Sequence, residues 1–306
     1  MNPPSSPSSR DAALPSGPPL LAVGALMINA LVWGLSWWPF RQLQDLGLHP
    51  LWSTALIYVA AAVLVLAWRP LAWRQWFAHP GLWLLMVAAG MTNVGFNWAV
   101  SIGDVVRVVL LFYLMPAWSI LLAWPLLGER PTRAALLRLL LALAGVVIVL
   151  KSPDSPWPLP HSAADWLAVG GGLSFALTNI LLRRHGHTPS EGRMLAMFGG
   201  GAIMASAAAV LGMALGTVPA PSLGEGGWPI ALGLCLAFLV SNLALQYGAA
   251  RLVASTTALV MLTEVLFASV SSALMGAAEI DGRTWLGGGL IILAAALAAL
   301  APSRKS

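Results

Sequence analysis

The stretch LVWGLSWWPFRQ, Leu31 to Gln42, closes the first long apolar run of the chain. Three tryptophans, Gly34, Ser36, Pro39 and Arg41 crowd together there. Alone, it reads as an aromatic belt at a membrane surface. A weak echo of it lies in the second half. The order aromatic, small, leucine, hydroxyl in Trp33-Gly34-Leu35-Ser36-Trp37 returns in Phe175-Ala176-Leu177-Thr178-Asn179. Eight residues after each leading aromatic stands a basic residue, Arg41 and Arg183. Two more pairs keep the same order. Asn97-x-Ala99-x-x-x-Gly103 matches Asn242-x-Ala244-x-x-x-Gly248, and Gly128-Glu129-Arg130 matches Gly276 to Glu279. Matches in a constant order point to an internal repeat of five elements plus five.

Composition says what the elements are. Of 306 residues, 58% are hydrophobic and only 9% are charged. A soluble domain carries about 25% charged residues, and the mean hydropathy of +0.81 fits a chain dissolved in a bilayer. The net charge is +5, with basic residues at segment ends rather than in a patch, so nucleic acid is not an expected partner. The single Cys235, inside an apolar run, permits no internal disulfide.

A bilayer core needs about 20 helical residues per crossing. Ten runs meet that need: 20–40, 51–68, 81–102, 105–127, 134–150, 164–182, 194–215, 228–247, 252–275 and 285–301. Lys and Arg give the orientation. With the N-terminus in the cytoplasm, the inner segments hold Arg10, Arg69, Arg74, Arg130, Arg133, Arg138, Arg183, Arg184, Arg193, Arg251, Arg304 and Lys305. The outer segments hold only Arg41, Arg107, Lys151 and Arg283. The expected fold is all-α and integral to the membrane, with both termini cytoplasmic. Residues 1–19, rich in Pro and Ser, read as a disordered cytoplasmic tail. Residues 20–150 form the first repeat, 151–163 an outer linker, 164–301 the second repeat, and 302–306 a cytoplasmic tail. Five helices is an odd number, so the second repeat enters the membrane inverted. Inverted repeats give a protein two near-equivalent conformations, one open to each side, and that is the geometry of alternating-access transport.

The pattern resembles the drug/metabolite transporter superfamily, in particular its EamA-type ten-helix members. The carriers are WGLSWWPFR, FYLMPAWSILLAWPLLGERP and LALAGVVIVL in the first half. In the second they are FALTNILLRR, LTEVLFASVSSALMGAAE and the glycine-rich last helix. The resemblance implies a secondary transporter in the cell (inner) membrane that exports a small metabolite such as an amino acid. Tyr113 to Pro116 look like the branch that exports aromatic amino acids. The chain departs from the family at Thr263-Glu264-Val265, where helix 9 has no counterpart of Pro116, and at the stretched Gly276-Ala277-Ala278-Glu279.

Single residues sharpen this. Glu264 lies about 18 Å along helix 9, near the midplane, at 1.5 Å per residue. An ionised carboxylate at that depth costs about 2.5–3.5 kcal/mol. Coupling to protons, binding a substrate amine, or a hydrogen bond to a neighbouring helix would each account for its presence. Asn93 and Asn97 share one helix face, as do Asn242 and Gln246, by their four-residue spacing. They serve either as interhelical glue or as cavity lining. Pro116 removes a backbone hydrogen bond inside helix 4, one turn after Tyr113, and makes a kink or a hinge there. The repeat places Trp33, Ser36 and Trp37 with Phe175, Thr178 and Asn179 on a candidate cavity wall, while Trp38 and Phe40 anchor at the outer interface. Glu129 with Arg130 is a candidate gating ion pair or a local cap. The glycine triplets at 170–172, 199–201 and 287–289 follow no strand, so they read as close-packing surfaces rather than phosphate loops. The five histidines fall in loops, and no nucleophile, metal set or cofactor motif stands out. An intramembrane enzyme therefore has no support, and a non-transporting scaffold or receptor leaves Glu264 unexplained. The expected partners are lipid, a small solute, protons as coupling ion, and at most a second copy of the chain.

Overall fold

Every backbone N–H and C=O in a bilayer needs an internal partner, which leaves such apolar runs with the helix. The computed structural model describes residues 19–103, 105–150, 160–276 and 282–300, whose regular elements are all helices, with no strand among them. The two expected tails and most of the outer linker lie outside the described residues, as does Glu279.

The first half contains α1 (Pro19–Asp45), α2 (Pro50–Trp68), α3 (Arg74–Ala78), α4 (Gly81–Ile102), α5 (Val105–Phe112), α6 (Met115–Leu127) and α7 (Arg133–Leu150). The second contains α8 (Ala163–Arg184), α9 (Ser190–Ala214), α10 (Gly227–Ala249), α11 (Ala254–Met261), α12 (Glu264–Leu274) and α13 (Gly282–Ala299). Among the described residues, seven stretches are long and apolar enough to cross a membrane, against the ten expected. They are α1, α2, α8, α9, α10 and the consecutive pairs α5–α6 and α11–α12; α4, α7 and the shorter α13 are not among the seven.

Two corrections concern helix continuity. The run expected as one helix over 105–127 breaks at Tyr113–Leu114. Pro116 has no N–H to offer the Phe112 carbonyl, and the chain takes a tighter turn, with Leu114 N–H bonded to Leu111 O at 3.3 Å. The run expected over 252–275 breaks at Leu262–Thr263 with no proline nearby. There the Thr263 hydroxyl donates to Val260 O at 2.7 Å, and the backbone bonds shorten to three-residue spacing at Leu262, Thr263 and Val265.

Glycine sets the closeness of packing. α4 lies against both α8 and α9. A Cβ on Gly95 would meet the Leu167 carbonyl of α8 at 2.8 Å, and one on Gly200 of α9 would collide with the Met86 carbonyl of α4. A Cβ on Gly172 of α8 would meet the Phe112 carbonyl at 2.5 Å, so α8 covers the first break. On the other side, Gly34 of α1 brings that helix against the start of α12. The glycine triplets at 170–172 and 199–201 thus act as contact surfaces. The short α3 carries an aromatic cluster, with Trp76 and Phe77 packed against Trp83 of α4.

Candidate functional site

A cavity lies at the centre of the bundle and has two adjoining lobes. Trp33, Thr92, Asn93 and Phe175 belong to both. The first lobe adds Asn29 of α1, Tyr58 of α2, Thr178 of α8, Phe198 of α9, and Ser241 and Asn242 of α10. The second adds Phe96 and Asn97 of α4, Phe112 of α5, Met261 of α11 and Glu264 of α12. Aromatic rings pack around both. Trp33 stacks on Phe238 with centroids 4.7 Å apart, and Phe112 lies between Phe96 at 4.9 Å and Phe175 at 6.0 Å.

Hydrogen bonds hold the polar wall in order. Tyr58 donates to Asn93 Oδ1 at 2.8 Å, while Asn93 Nδ2 donates to the Ala89 carbonyl. Asn97 Nδ2 donates to Thr54 Oγ1 at 2.6 Å. Asn29 Nδ2 donates to the Ser241 carbonyl at 3.0 Å and to its hydroxyl at 2.5 Å, joining α1 to α10 across the repeats. Behind the wall runs a relay. Arg193 Nε donates to Gln246 Oε1 at 3.0 Å, Gln246 Nε2 to Asn242 Oδ1 at 2.6 Å, and Asn242 Nδ2 to Met197 Sδ at 3.3 Å. Arg193, expected in a loop at the membrane edge, is a buried helical residue whose guanidinium also donates to the His185 carbonyl.

Glu264 is the first residue of α12 and is half-buried, with its open side on the second lobe. The phenol of Tyr113, which is buried, interacts with the Glu264 carboxyl. The break between α5 and α6 therefore meets the break between α11 and α12 at the cavity wall.

The sequence-derived candidates divide on this geometry. Trp33, Asn93, Asn97, Phe175, Thr178, Asn242 and Glu264 line the cavity. Tyr113, Pro116 and Gln246 stand one layer behind it. Ser36 donates to the carbonyl of Trp33 on its own helix, and Trp37 donates to Ser271 Oγ at 2.9 Å, clasping α1 to α12. Asn179 is buried with neither amide atom partnered among the described residues. Asn29, Tyr58, Thr92, Phe96 and Ser241 were not among the candidates. A lone amide or phenol in an otherwise apolar run was the signal for the first two.

The expected pairing of Glu129 with Arg130 is replaced. Gly128 takes a left-handed turn (φ 73°) that ends α6, so Glu129 folds back toward α8 while Arg130 stays exposed. Glu129 Oε1 lies 2.7 Å from the Arg183 guanidinium, and Oε2 accepts from the Ala254 N–H at 3.3 Å. Arg183 also donates to the Leu252 carbonyl. The pair ties the ends of α6 and α8 to the turn between α10 and α11. Burial pushes the Glu129 carboxyl above its ordinary range, against the opposing pull of Arg183 and the Ala254 N–H.

The family model described as "EamA-like transporter family" matches residues 20–151. That family is part of the drug/metabolite transporter superfamily, and the match covers the first half of this chain. The EamA-like unit ends with α7 and supplies Trp33, Asn93, Asn97 and Phe112 to the cavity. A solved structure described as "Crystal structure of protein" shares the fold, with a TM-score of 0.73 at 17% identity. The match covers 91% of this chain and 96% of that one, so the likeness extends past the EamA-like unit into the second half. No curated protein matches the sequence.

Proposed function

We propose that the chain is a secondary active transporter that exports a small metabolite through the central cavity, built from ten crossings as two inverted five-helix repeats. Glu264 carries the charge that couples export to protons. The observation that carries this reading is the meeting of two interrupted helices, at Tyr113 and Glu264, beside a polar cavity in an apolar bundle. Interrupted membrane helices expose backbone and polar groups only where protein or a water-filled cavity receives them, and transporters bind their solutes at such places. The packing partners support the inverted repeat. α1 lies against α10 as α8 lies against α4, and α1 lies against α12 as α8 lies against α6. Trp33 and Phe175, matched by the repeat, both serve both lobes.

The test is solute flux in proteoliposomes under an imposed pH gradient. Wild-type protein concentrates solute against its gradient. Glu264→Gln keeps its unfolding temperature but loses the pH-driven component. Undiminished pH-driven flux in the variant would remove Glu264 from the coupling.

A further inference from the structure

We infer that the cavity selects an organic cation, a protonated amine on a flat apolar body with no carboxylate of its own. This rests on the transport reading above and narrows its substrate away from amino acids.

Charge comes first. Among the described lining residues, Glu264 is the one carboxylate, and none is Arg, Lys or His. The nearby guanidiniums are committed elsewhere. Arg193 is held by Gln246 and the His185 carbonyl, and Arg183 by Glu129 and the Leu252 carbonyl. A solute carboxylate would find no counter-charge among the described residues, whereas an ammonium would find the Glu264 carboxyl, whose ionised form a nearby positive charge favours.

The polarity of the hydrogen-bond wall agrees. The Ser241 carbonyl can only accept, which fixes the Asn29 amide with Nδ2 toward it. Its Oδ1 is left buried without a partner among the described residues. The Ala89 carbonyl fixes Asn93 in the same way, and its Oδ1 already accepts from Tyr58. Asn29 Oδ1 and the Glu264 carboxyl are thus acceptors on this wall, and they suit a solute that brings N–H donors. Asn242 Nδ2, held only by a thioether, is the loosely bound donor. It suits a neutral oxygen but supplies no positive charge.

The aromatic rings complete the fit. Trp33, Phe96, Phe112 and Phe175 share the second lobe with Glu264. The ring quadrupole attracts a cation to an aromatic face, the more so when desolvated, and the same rings pack against a flat apolar body.

The experiment is calorimetric binding to the full chain in lipid nanodiscs at neutral pH, with three probes that share one phenyl ring and differ in charge. Phenethylamine is a cation, phenylalanine a zwitterion and 3-phenylpropionate an anion. The amine is expected to bind about tenfold or more tighter than the zwitterion, with no anion binding. Glu264→Gln removes most of that preference and Glu264→Asp keeps its sign; should either variant fail to fold, the three probes on the wild type decide alone. Tighter binding of phenylalanine or phenylpropionate, or no binding of the amine, overturns the assignment. Flux of the same probes in liposomes separates the two readings. Amine binding without movement of any solute defeats transport and leaves the selectivity standing. Phenylalanine export without amine binding does the reverse.

Discussion

Arg183→Met should open the end of the bundle tied by the Glu129–Arg183 pair, and Glu129→Gln in the same chain should close much of it again. The charged atoms are 2.7 Å apart, and the side chains are only 14% and 18% exposed. Coulomb's law at an effective dielectric of about 20 gives a gross attraction of roughly 6 kcal/mol, before either group is desolvated. Removing one partner of a fully buried pair costs about 3–5 kcal/mol because the other is stranded. The residual exposure here trims that to about 2–3 kcal/mol, roughly a 30- to 150-fold shift toward the open arrangement. Glu129→Gln alone is milder, since an amide oxygen still accepts from Arg183. The double variant strands no charge. A thiol placed by Ala250→Cys in a Cys235→Ala background reports the opening, because Ala250 is 1% exposed in the turn that the pair holds. Its maleimide labelling rate should rise by about that factor in Arg183→Met and return to within a few-fold of the starting rate in the double variant. The reasoning fails if Glu129→Gln labels as fast as Arg183→Met, or if the double variant labels fastest.

The same pair fixes the sign of a pH effect. Burial raises the Glu129 carboxyl above its ordinary value in the tied arrangement, and water restores that value when the end opens. The state with the higher pKa binds the proton more tightly, so acidification favours the tied state as pH falls through the raised value toward the ordinary one, and the gain is lost as pH rises again. Labelling at Ala250→Cys, normalised to a free thiol at each pH, should slow on acidification, and acceleration would contradict the burial argument. A third expectation concerns packing. A Cβ on Gly34 would lie 2.6 Å from the Phe267 Cβ and 2.8 Å from the Glu264 carbonyl, so Gly34→Ala should cost about 1–3 kcal/mol and lower the unfolding temperature. Gly24, with nothing within 4 Å of its would-be Cβ, should accept alanine without loss. Equal unfolding temperatures for the two variants would sink the close-approach account.

How much of this was legible in the sequence depended on the kind of signal. Glu264 stood out because a carboxylate in an apolar run is costly, and the structure places it on the cavity. The matched segments pointed to Trp33 and Phe175 because each begins with an aromatic, and both residues line the two lobes. They misplaced Ser36 and Trp37 because a repeat names counterparts and says nothing of facing. At about 100° per residue, three positions along a helix turn a side chain nearly a full circle yet onto a different neighbour. Ser36 satisfied itself on its own backbone, and Trp37 found Ser271. The partner of Glu129 was unreadable for a similar reason. Adjacency in sequence favoured Arg130, but a left-handed glycine reversed the chain, and Arg183 became the neighbour across more than fifty residues. Asn29 was passed over because it lacks a second amide one turn away, although its bonds to Ser241 join the two halves.

The two helix breaks are made differently, and that difference bears on which one moves. At Tyr113–Leu114 the break is covalent in origin, because no rearrangement gives Pro116 an N–H. The Phe112 carbonyl lies against Gly172, so this break persists in any conformation that keeps α5 against α8. At Leu262–Thr263 nothing in the backbone forbids a continuous helix. The break there goes with side chains, the Thr263 hydroxyl competing for the Val260 carbonyl and the Glu264 carboxyl beside the Tyr113 phenol. Changing the partner of Glu264, by a proton or by a bound cation, alters the balance that keeps this helix interrupted. Gly34 lies against the Glu264 carbonyl, so α1 feels that change, and through Asn29 so does α10. A fixed break facing a conditional one gives the cavity one rigid wall and one wall whose geometry depends on what Glu264 holds.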